Sequence, residues 1–248
     1  MTLETMHLGP ARIGFTRSQP HPAGAYQRPN FGLATGDEIS AVQQDRKDLS
    51  QRVGKPLIWL EQYHSRQVEV LTGKELTQTT LRTDIEQGRN ALRADALIVS
   101  AQVGVAIQVA DCVPVLIAEE SGHWRCGIHA GRAGLEAGII GATVERFQGL
   151  GVGPHQLQAA VGPHICGRCY EVDETTYARC VSKHPVMAGK TSWGTLALDQ
   201  TRAALKQLQE AGVKVAVKDL ACTYETPNLH SYRRQGNTSG RNAAWIIP

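Results

Sequence analysis

The sequence predicts a single-domain α/β protein with mixed β-sheets. Many apolar runs are short and rich in β-branched residues, which is typical of buried strands rather than helices. Helical spacing of apolar residues occurs between these runs without a regular strand–helix–strand alternation, which favours mixed over purely parallel sheets. No linker divides the 248 residues, so we expect one domain over residues 1–248.

The predicted elements follow from local patterns. Strands are predicted where apolar, β-branched residues run together: 13–17, 57–60, 68–71, 95–99, 103–110, 113–118, 124–128, 157–161, 213–217 and 242–247. Helices are predicted where apolar residues recur at helical spacing, with glycine or proline at their ends: 37–53, 135–147, 174–184 and 196–211. Residues 72–93 are polar and aperiodic and predict a surface loop.

Composition argues against several classes of function. The net charge is +3 without a basic stripe, so we expect no nucleic-acid partner, although a small anionic substrate fits. No apolar stretch approaches the ~18 residues that cross a bilayer, so we expect no membrane association. The first 15 residues lack the pattern of a signal peptide, and six cysteines then predict reduced thiols in a cytoplasmic protein. The sequence indicates no oligomeric state.

The candidate catalytic groups concentrate around residues 104–135. Asp111 and Cys112 lie between two predicted strands, His129 lies at the end of the next strand, and His64 follows an earlier one. Strand ends are where sites on α/β sheets usually lie, so these side chains can converge. One thiolate and two imidazoles would leave a fourth coordination position open, as in catalytic zinc sites that acidify a bound water.

Other interpretations of the same residues stay open. Residues so far apart in the sequence form no local metal motif, and spacing alone favours a buried thiol with two hydrogen-bonded histidines. A nucleophilic dyad of Cys112 and His129 is a second alternative. It needs the same two residues as the metal site, but it has no use for His64, and this favours the metal.

The remaining cysteines and histidines predict structural roles. The Cys166-x-x-Cys169 pair has no partner pair at zinc-ribbon spacing, which favours structural thiols. Further cysteines occur in apolar or helical contexts and are expected in the core: Cys126, Cys180 and Cys222. Loop or surface positions are expected for the other histidines, among them His164 and His230.

Arginines in loops rich in Gly, Ser or Thr form a second set of candidates. Their forked guanidinium groups could hold phosphate or carboxylate, although surface solvation explains any one of them alone. The set is Arg17, Arg233, Arg234 and Arg241. Arg132 lies at a predicted helix start, where an anion is favoured, and Asn30, which closes a Pro- and Gly-rich loop, completes the expected substrate-binding residues.

Seven short motifs occur in order along the chain: Gln62-x-His64-Ser65, Ala94-Asp95-Ala96-Leu97, Ala110-Asp111-Cys112-Val113-Pro114, His129-Ala130-Gly131, Gly162-Pro163-His164-Ile165, Cys169-Tyr170-Glu171-Val172 and Ser231-Tyr232-Arg233-Arg234. Together they resemble the bacterial YfiH family, also called the multi-copper polyphenol oxidoreductase (laccase) or purine nucleoside phosphorylase family. The resemblance covers residues 14–247, nearly the whole chain.

The resemblance implies a fold and a metal. The fold is a four-layer α-β-β-α sandwich with mixed sheets, shared with cytotoxic-necrotizing-factor-like cysteine hydrolases. The implied metal ligands are His64, Cys112 and His129, the residues already singled out by their strand ends. The implied cofactor is Zn²⁺, with Cu²⁺ as the alternative.

The resemblance also implies activities on small molecules. These are phosphorolysis of adenosine, inosine, guanosine and methylthioadenosine to base and ribose 1-phosphate, and deamination of adenosine. Asp111 or Glu171 could move protons in deamination, while Arg17, Arg233 and Arg234 are candidates for holding phosphate. Oxidation of polyphenols and editing of peptidoglycan precursors by a metal or a cysteine stay as alternatives, and a binding protein without turnover is a third class. The chain lacks the His-x-His pairs of true laccases.

One motif departs from the family pattern. The family usually reads His-Ala-Gly-Trp-Arg-Gly, whereas this chain has His129-Ala130-Gly131-Arg132-Ala133-Gly134. One position at a helix start turns a side chain by about 100°. Arg132 is therefore expected to meet a substrate differently from the family arginine, or not at all.

Overall fold

The computed structural model describes residues 3–19 and 26–248. Its strands are β1 Leu3–Leu8, β2 Ala11–Thr16, β3 Leu57–Glu61, β4 Val68–Leu71, β5 Asn90–Arg93, β6 Ala96–Val99, β7 Gly104–Val109, β8 Val113–Glu119, β9 Arg125–Ala130, β10 Leu157–Val161, β11 Ala188–Lys190, β12 Leu196–Leu198, β13 Lys214–Lys218 and β14 Asn242–Ile247. Its helices are α1 Ile39–Val53, α2 Thr79–Glu86, α3 Arg132–Ala137, α4 Ile139–Gly149, α5 Glu174–Lys183, α6 Gln200–Glu210 and α7 Tyr232–Gln235.

Most of the strands join two mixed sheets. Within the described residues, each sheet has six strands, in the orders β1-β2-β14-β7-β3-β5 and β13-β10-β8-β9-β6-β4. In the first sheet β14 runs antiparallel to β2 and β7, and β3 runs parallel to β7 and β5. In the second, antiparallel β10-β8-β9-β6 pairs carry parallel edge strands β13 and β4. Both sheets therefore combine parallel and antiparallel strand pairs, as predicted.

The two sheets pack face to face, and helices cover their outer faces. Side chains of both sheets, such as Ile107 of β7 and Leu116 of β8, share one buried cluster between them. On the outer face of the first sheet, Leu49 of α1 packs with the buried Trp59 and Trp245. Helices α3, α4 and α6 cover the second sheet in the same way. Burial of each such large apolar side chain stabilises the fold by roughly 1.5–3 kcal/mol. The result is the predicted four-layer α-β-β-α sandwich.

Several local predictions are wrong for identifiable reasons. Residues 72–93 form no long loop, because a short 3₁₀ helix (Glu75–Thr77), α2 and β5 lie there. Strand β5 lies at a sheet edge with half-buried residues, so it carries no continuous apolar run.

Two predicted helices also have different bounds. The helix predicted over 196–211 is strand β12 followed by α6, because the carboxylate of Asp199 caps the helix at the Arg202 amide. The helix predicted over 135–147 is two helices, since Gly138 takes a left-handed φ of 79° between α3 and α4.

The connections that carry the candidate site meet at one edge of the sandwich. They are the segment after β3, the β7–β8 turn and the junction of β9 with α3. Turns after α7 and before α1 lie beside them. In the described parts of the chain, no helix is long and apolar enough to cross a membrane.

Candidate metal centre and its cavity

Three side chains predicted as metal ligands lie together in the structure. The ligand atoms of His64, Cys112 and His129 are all within 4.8 Å of one another. The Cys112 Sγ atom is 3.7 Å from His64 Nε2, and the two imidazole rings meet edge to face with centroids 4.8 Å apart. One sulfur and two ring nitrogens form a donor set that suits zinc or copper. The residues present therefore fit a metal ion with a position left open.

The backbone is strained at this cluster. Of the non-glycine residues that the structure describes, the two with positive φ are His64 at 63° and Asp111 at 85°. Such conformations cost about 1–3 kcal/mol each and persist where neighbouring groups hold them. His64 is itself a candidate ligand, and Asp111 directly precedes the candidate ligand Cys112. The backbone strain is therefore concentrated at the metal cluster.

Asp95 holds two of the three candidate ligands. This buried carboxylate accepts hydrogen bonds from the backbone amides of His64 and Ser65, at 3.0 and 2.6 Å, and from the Ser65 hydroxyl. It also faces Nδ1 of His129 at 2.8 Å. Because an ionised carboxylate can only accept, Nδ1 carries the hydrogen and Nε2 is left free to bind a metal. Burial raises the pKa of Asp95, but the bonds from His129 and Ser65 outweigh it and hold the pKa at about 2.

Without a metal, Cys112 and His129 stabilise each other in charged form. Burial raises the pKa of the Cys112 thiol, but the charge of His129 and hydrogen bonds from His129 and His64 outweigh it and lower the pKa to about 6. Burial lowers the pKa of His129, but the thiolate and Asp95 raise it to about 9. At neutral pH this pair is a thiolate and an imidazolium, and the thiolate is the form that ligates metals.

Asp111 has a positioning role in the structure. Its two carboxylate oxygens accept from the Thr223 hydroxyl at 2.6 Å and from the Arg233 backbone amide at 2.7 Å. These bonds attach the turn that carries Cys112 to the segment before β14. Gln62, which precedes His64 in its motif, bonds to the backbone of Gln108, and Asp95 is the group that orients the candidate ligands.

A cavity of about 780 Å³ opens beside the cluster. Its lining includes His64, Cys112 and His129 together with residues that sequence reasoning either missed or named without a clear role: Gly32, Thr35, Gln108, Tyr170, Gln200 and Tyr232. A signal for the aromatic residues was present, since both tyrosines lie within the quoted motifs. No periodic pattern marked them, because each follows a turn rather than a regular element.

Guanidinium groups line the same cavity. Arg233 and Arg241 both face it, with the Arg233 guanidinium carbon 5.2 Å from the ring centroid of Tyr170 and that of Arg241 5.9 Å from Tyr232. Arg132 also lines the cavity, at the first position of α3. The cavity thus combines a thiol–imidazole cluster with positive charge and two aromatic faces.

The charge of Arg132 is already partnered. Its guanidinium pairs with Glu136 one helical turn later, and Arg179 approaches the same carboxylate at 3.4 Å. How Arg132 meets a substrate stays a prediction.

Other expected substrate residues lie elsewhere. None of Arg17, Asn30 and Arg234 is among the described residues that line the cavity. Arg17 pairs with Asp219 at 2.7 Å, and the buried Asn30 donates to Asp37 at 2.8 Å. Arg234 donates to four backbone carbonyls, those of Thr223, Tyr224, Thr226 and Leu229. These three side chains shape the loops around the cavity and do not face it.

Two histidines expected in loops or at the surface lie in irregular segments, but both are buried. His164 lies between the Gly162 carbonyl, at 2.7 Å from its Nδ1, and the Thr201 hydroxyl. His230 bonds to the Pro29 carbonyl at 2.8 Å, and burial lowers its pKa to about 4. Both serve the fold, because each replaces a backbone hydrogen bond that an irregular segment lacks.

Comparison with known proteins gives one consistent result. Residues 12–248 match the family model described as multi-copper polyphenol oxidoreductase laccase. The chain is 36% identical over 243 residues to a purine nucleoside phosphorylase of Streptomyces coelicolor, covering 95% of each chain. It is 32% identical over 227 residues to the purine nucleoside phosphorylase YfiH of Shigella flexneri, covering 89% of this chain and 86% of that one.

Solved structures agree with these relatives. The crystal structure of YlmD from Geobacillus stearothermophilus superposes with a TM-score of 0.81 at 28% identity, over 96% of this chain and 91% of that one. A protein of Neisseria meningitidis, whose structure is described as belonging to family DUF152, gives a TM-score of 0.80 at 27% identity, over 99% and 98%. With the match over residues 12–248, these likenesses show that the chain belongs to the multi-copper polyphenol oxidoreductase laccase family, the YfiH family.

Proposed function

We propose that this protein is a zinc-dependent purine nucleoside phosphorylase. Its substrates would be adenosine, inosine, guanosine and methylthioadenosine, each cleaved with phosphate to the free base and ribose 1-phosphate, with deamination of adenosine as a second activity. One observation carries the proposal: three arginines and the His64–Cys112–His129 cluster share one cavity of about 780 Å³. The names of the relatives give the reaction class.

The cavity offers what each half of the substrate pair needs. Phosphate would lie against Arg233 and Arg241, whose planar guanidinium groups match phosphate oxygens. The purine would stack on Tyr170 or Tyr232, since both rings line the cavity. The volume falls within the roughly 300–1,000 Å³ of small-molecule sites. In the reaction the C1′–N bond breaks, a phosphate oxygen bonds to C1′, and the base leaves with the electron pair and takes up a proton.

The cluster residues would hold the metal. His64, Cys112 and His129 would bind Zn²⁺, which supplies Lewis-acid polarisation and acidifies bound water when present. Asp95 keeps the Nδ1 hydrogen of His129 in place, so that Nε2 faces the metal position. Asp111 holds the backbone of Arg233 through the 2.7 Å bond, and thereby sets where its guanidinium meets the substrate.

Product analysis tests the proposal. Metal-quantified wild type and Cys112→Ala are incubated with adenosine, inosine or guanosine, each with and without phosphate, and products are resolved by chromatography and mass spectrometry. From adenosine, we expect adenine and ribose 1-phosphate only when the wild type is incubated with phosphate. We expect inosine from the wild type even without added phosphate. No turnover of adenosine, inosine or guanosine would contradict the nucleoside proposal and favour a binding protein or a different substrate.

Two observations favour second candidates. Cys with two His is also a copper donor set, and the family description names copper and polyphenols, which supports oxidation of a polyphenol by a copper-loaded form. The hydrogen bond and charge of His129 at the Cys112 thiol support a cysteine hydrolase, for which the resemblance implies peptidoglycan precursors as substrates. Oxygen uptake with a phenol, or cleavage of a muramyl peptide that alkylation blocks, would favour one or the other.

A further inference from the structure

A second group of metal-capable side chains lies outside the cavity cluster. The ligand atoms of Cys166, Cys169, Cys222 and Glu225 are all within 4.8 Å of one another. All three cysteines are free thiols, and two of them, Cys169 and Cys222, are buried. None of the four residues is among the described residues lining the cavity. The proposed reaction therefore makes no use of them.

The four residues come from two matching turns. The amides of Cys169 and Tyr170 both bond to the Cys166 carbonyl, at 3.0 and 3.1 Å, and the Thr226 amide bonds to the Cys222 carbonyl at 2.9 Å. Each turn thus presents two ligands with two residues between them, Cys166-x-x-Cys169 and Cys222-x-x-Glu225. In the sequence, Cys166-x-x-Cys169 looks like a lone motif. The second pair ends in glutamate instead of cysteine and lies 56 residues further on.

The turns face each other through the backbone as well. His164 and Cys222 form a parallel bridge, and the Thr223 amide bonds to the His164 carbonyl at 3.0 Å. The Cys166 amide points at the Cys222 sulfur at 3.4 Å, and the Cys169 sulfur is 3.4 Å from a Glu225 carboxylate oxygen. Amide-to-sulfur bonds of this kind orient a thiolate ligand, so the turns are arranged for an ion before any ion binds.

The chemistry of the donors selects the ion. Three thiolates and one carboxylate form a soft, sulfur-rich set of four, which suits Zn²⁺ in a closed structural site. Three thiolates, one carboxylate and a dication carry a net charge of −2. The exposed Arg168, within the 166–169 turn, offsets part of that charge. Glu225 is exposed, so the ion can enter from solvent.

We propose that Cys166, Cys169, Cys222 and Glu225 form a second, structural zinc site that joins the 166–169 turn to the 222–225 turn. The joined turns support the cavity wall on both sides. The Ile165 amide bonds to the Asp111 carbonyl at 3.0 Å, and the Thr223 hydroxyl bonds to the Asp111 carboxylate. Tyr170, directly after Cys169, lines the cavity. Zinc at this site holds the wall in place and takes no part in bond breaking.

Metal analysis separates this site from the cavity cluster. Chelator-stripped full-length protein is titrated with Zn²⁺, and bound zinc is counted by mass spectrometry of the native chain. We expect two equivalents in the wild type and in the control Cys126→Ala, which removes a buried thiol of β9 that belongs to neither group. We expect one equivalent in Cys166→Ser/Cys169→Ser and one in Cys112→Ala. If only the cavity cluster fails to bind zinc, the wild type and Cys112→Ala will each bind one equivalent.

Cobalt spectroscopy keeps the test independent of activity. With Co²⁺ in place of Zn²⁺, each thiolate ligand adds to the sulfur-to-cobalt charge-transfer band, so Cys112→Ala should keep most of the intensity and Cys166→Ser/Cys169→Ser only the weaker part that Cys112 contributes. Should the double serine variant fail to fold, Glu225→Gln, an exposed change, is expected to weaken zinc affinity at this site about tenfold or more. A wild type that binds one zinc, with Cys112→Ala binding none, would overturn the proposal. A disulfide among these cysteines in freshly reduced protein, visible as a loss of two hydrogens, would overturn it too.

Discussion

The two thiol clusters use the same side-chain chemistry in opposite surroundings. At the cavity, Cys112 lies between two imidazoles, and although burial opposes it, the charge of His129 lowers the pKa of the thiol to about 6. At the paired turns, burial and the neighbouring thiols raise the pKa of Cys169, and burial raises that of Cys222. Neighbouring side chains favour the thiolate form of Cys112, whereas the thiols of Cys169 and Cys222 need a bound cation to become thiolates. Charged imidazole neighbours therefore distinguish the half-buried Cys112 thiol from the buried thiols of Cys169 and Cys222.

The two clusters also differ in how the backbone holds them. The cavity cluster depends on left-handed residues at His64 and Asp111 and on one buried carboxylate, Asp95. The paired turns use ordinary turn hydrogen bonds. Strain at one place and relaxed geometry at the other is the pattern expected if the first binds substrate and the second stabilises the fold.

Replacing Asp95 tests this difference with the largest expected effect. Asp95→Asn leaves the amides of His64 and Ser65 without a charged acceptor and places an amide against His129. We expect the free energy of unfolding to fall by about 3–5 kcal/mol, because one partner of a buried charged network is removed. Urea unfolding of metal-free protein measures it, with Asp84→Asn, a change at a partly exposed carboxylate that pairs with Arg89, as the control. Equal stability of both variants would contradict the role given to Asp95.

Acid unfolding compares two buried histidines. His129 has a carboxylate partner and a raised pKa, whereas burial lowers that of His230 to about 4. Because the unfolded chain binds a proton near pH 6.5 and the folded chain only near 4, His230 costs stability as pH falls through that window, up to about 3 kcal/mol. Urea unfolding from pH 7 to 4 measures the slope. His230→Gln should reduce it, and an unchanged slope would show that other groups carry the acid sensitivity.

Gly131 lies close to the cavity cluster, and adding a side chain there is expected to weaken zinc binding. A Cβ there would lie 2.8 Å from His64 Cδ2 and 3.1 Å from Cys112 Sγ, so Gly131→Ala must displace a ligand. We expect zinc affinity at this cluster to fall about tenfold or more, which is ~1.4 kcal/mol. The matched control is Gly141→Ala, since a Cβ at that helical glycine meets nothing within 4 Å. Unchanged zinc affinity in Gly131→Ala would argue that the ion lies elsewhere.

The arginines provide the smallest contrast. Arg132 is paired with Glu136, whereas Arg233 faces the cavity over Tyr170. If phosphate binds as proposed, Arg233→Ala should raise the KM for phosphate about tenfold, and Arg132→Ala less than about threefold. Initial rates at varied phosphate measure both. The opposite order would mean that phosphate lies near α3.

The sequence pattern predicted the fold class and the three candidate metal ligands, but it did not predict the groups that hold them. Strand ends marked His64, Cys112 and His129, because a polar residue directly after an apolar run is informative. Asp95 instead lies directly before β6, and its role depends on a hydrogen bond to His129 that no spacing reveals.

The paired turns show the opposite limit. Cys166 and Cys169 had no recognisable partner, because Cys222 and Glu225 approach only through the fold. Arg234 looked like an anion ligand, yet it satisfies carbonyls of an irregular segment. Loops that bond to one another cannot be read from periodicity, since their contacts depend on tertiary packing.

We propose that the cavity cluster performs chemistry and that the paired turns hold the fold. Turnover of adenosine with phosphate and the melting temperature, measured on the same zinc-loaded samples of Cys112→Ala and Cys169→Ser, test it most directly. We predict that Cys112→Ala lowers kcat by at least about 10³-fold with a small change in melting temperature, since residues of one catalytic unit fail together. Cys169→Ser should mainly lower the melting temperature. Equal loss of turnover in two folded variants, or none in Cys112→Ala, would contradict it.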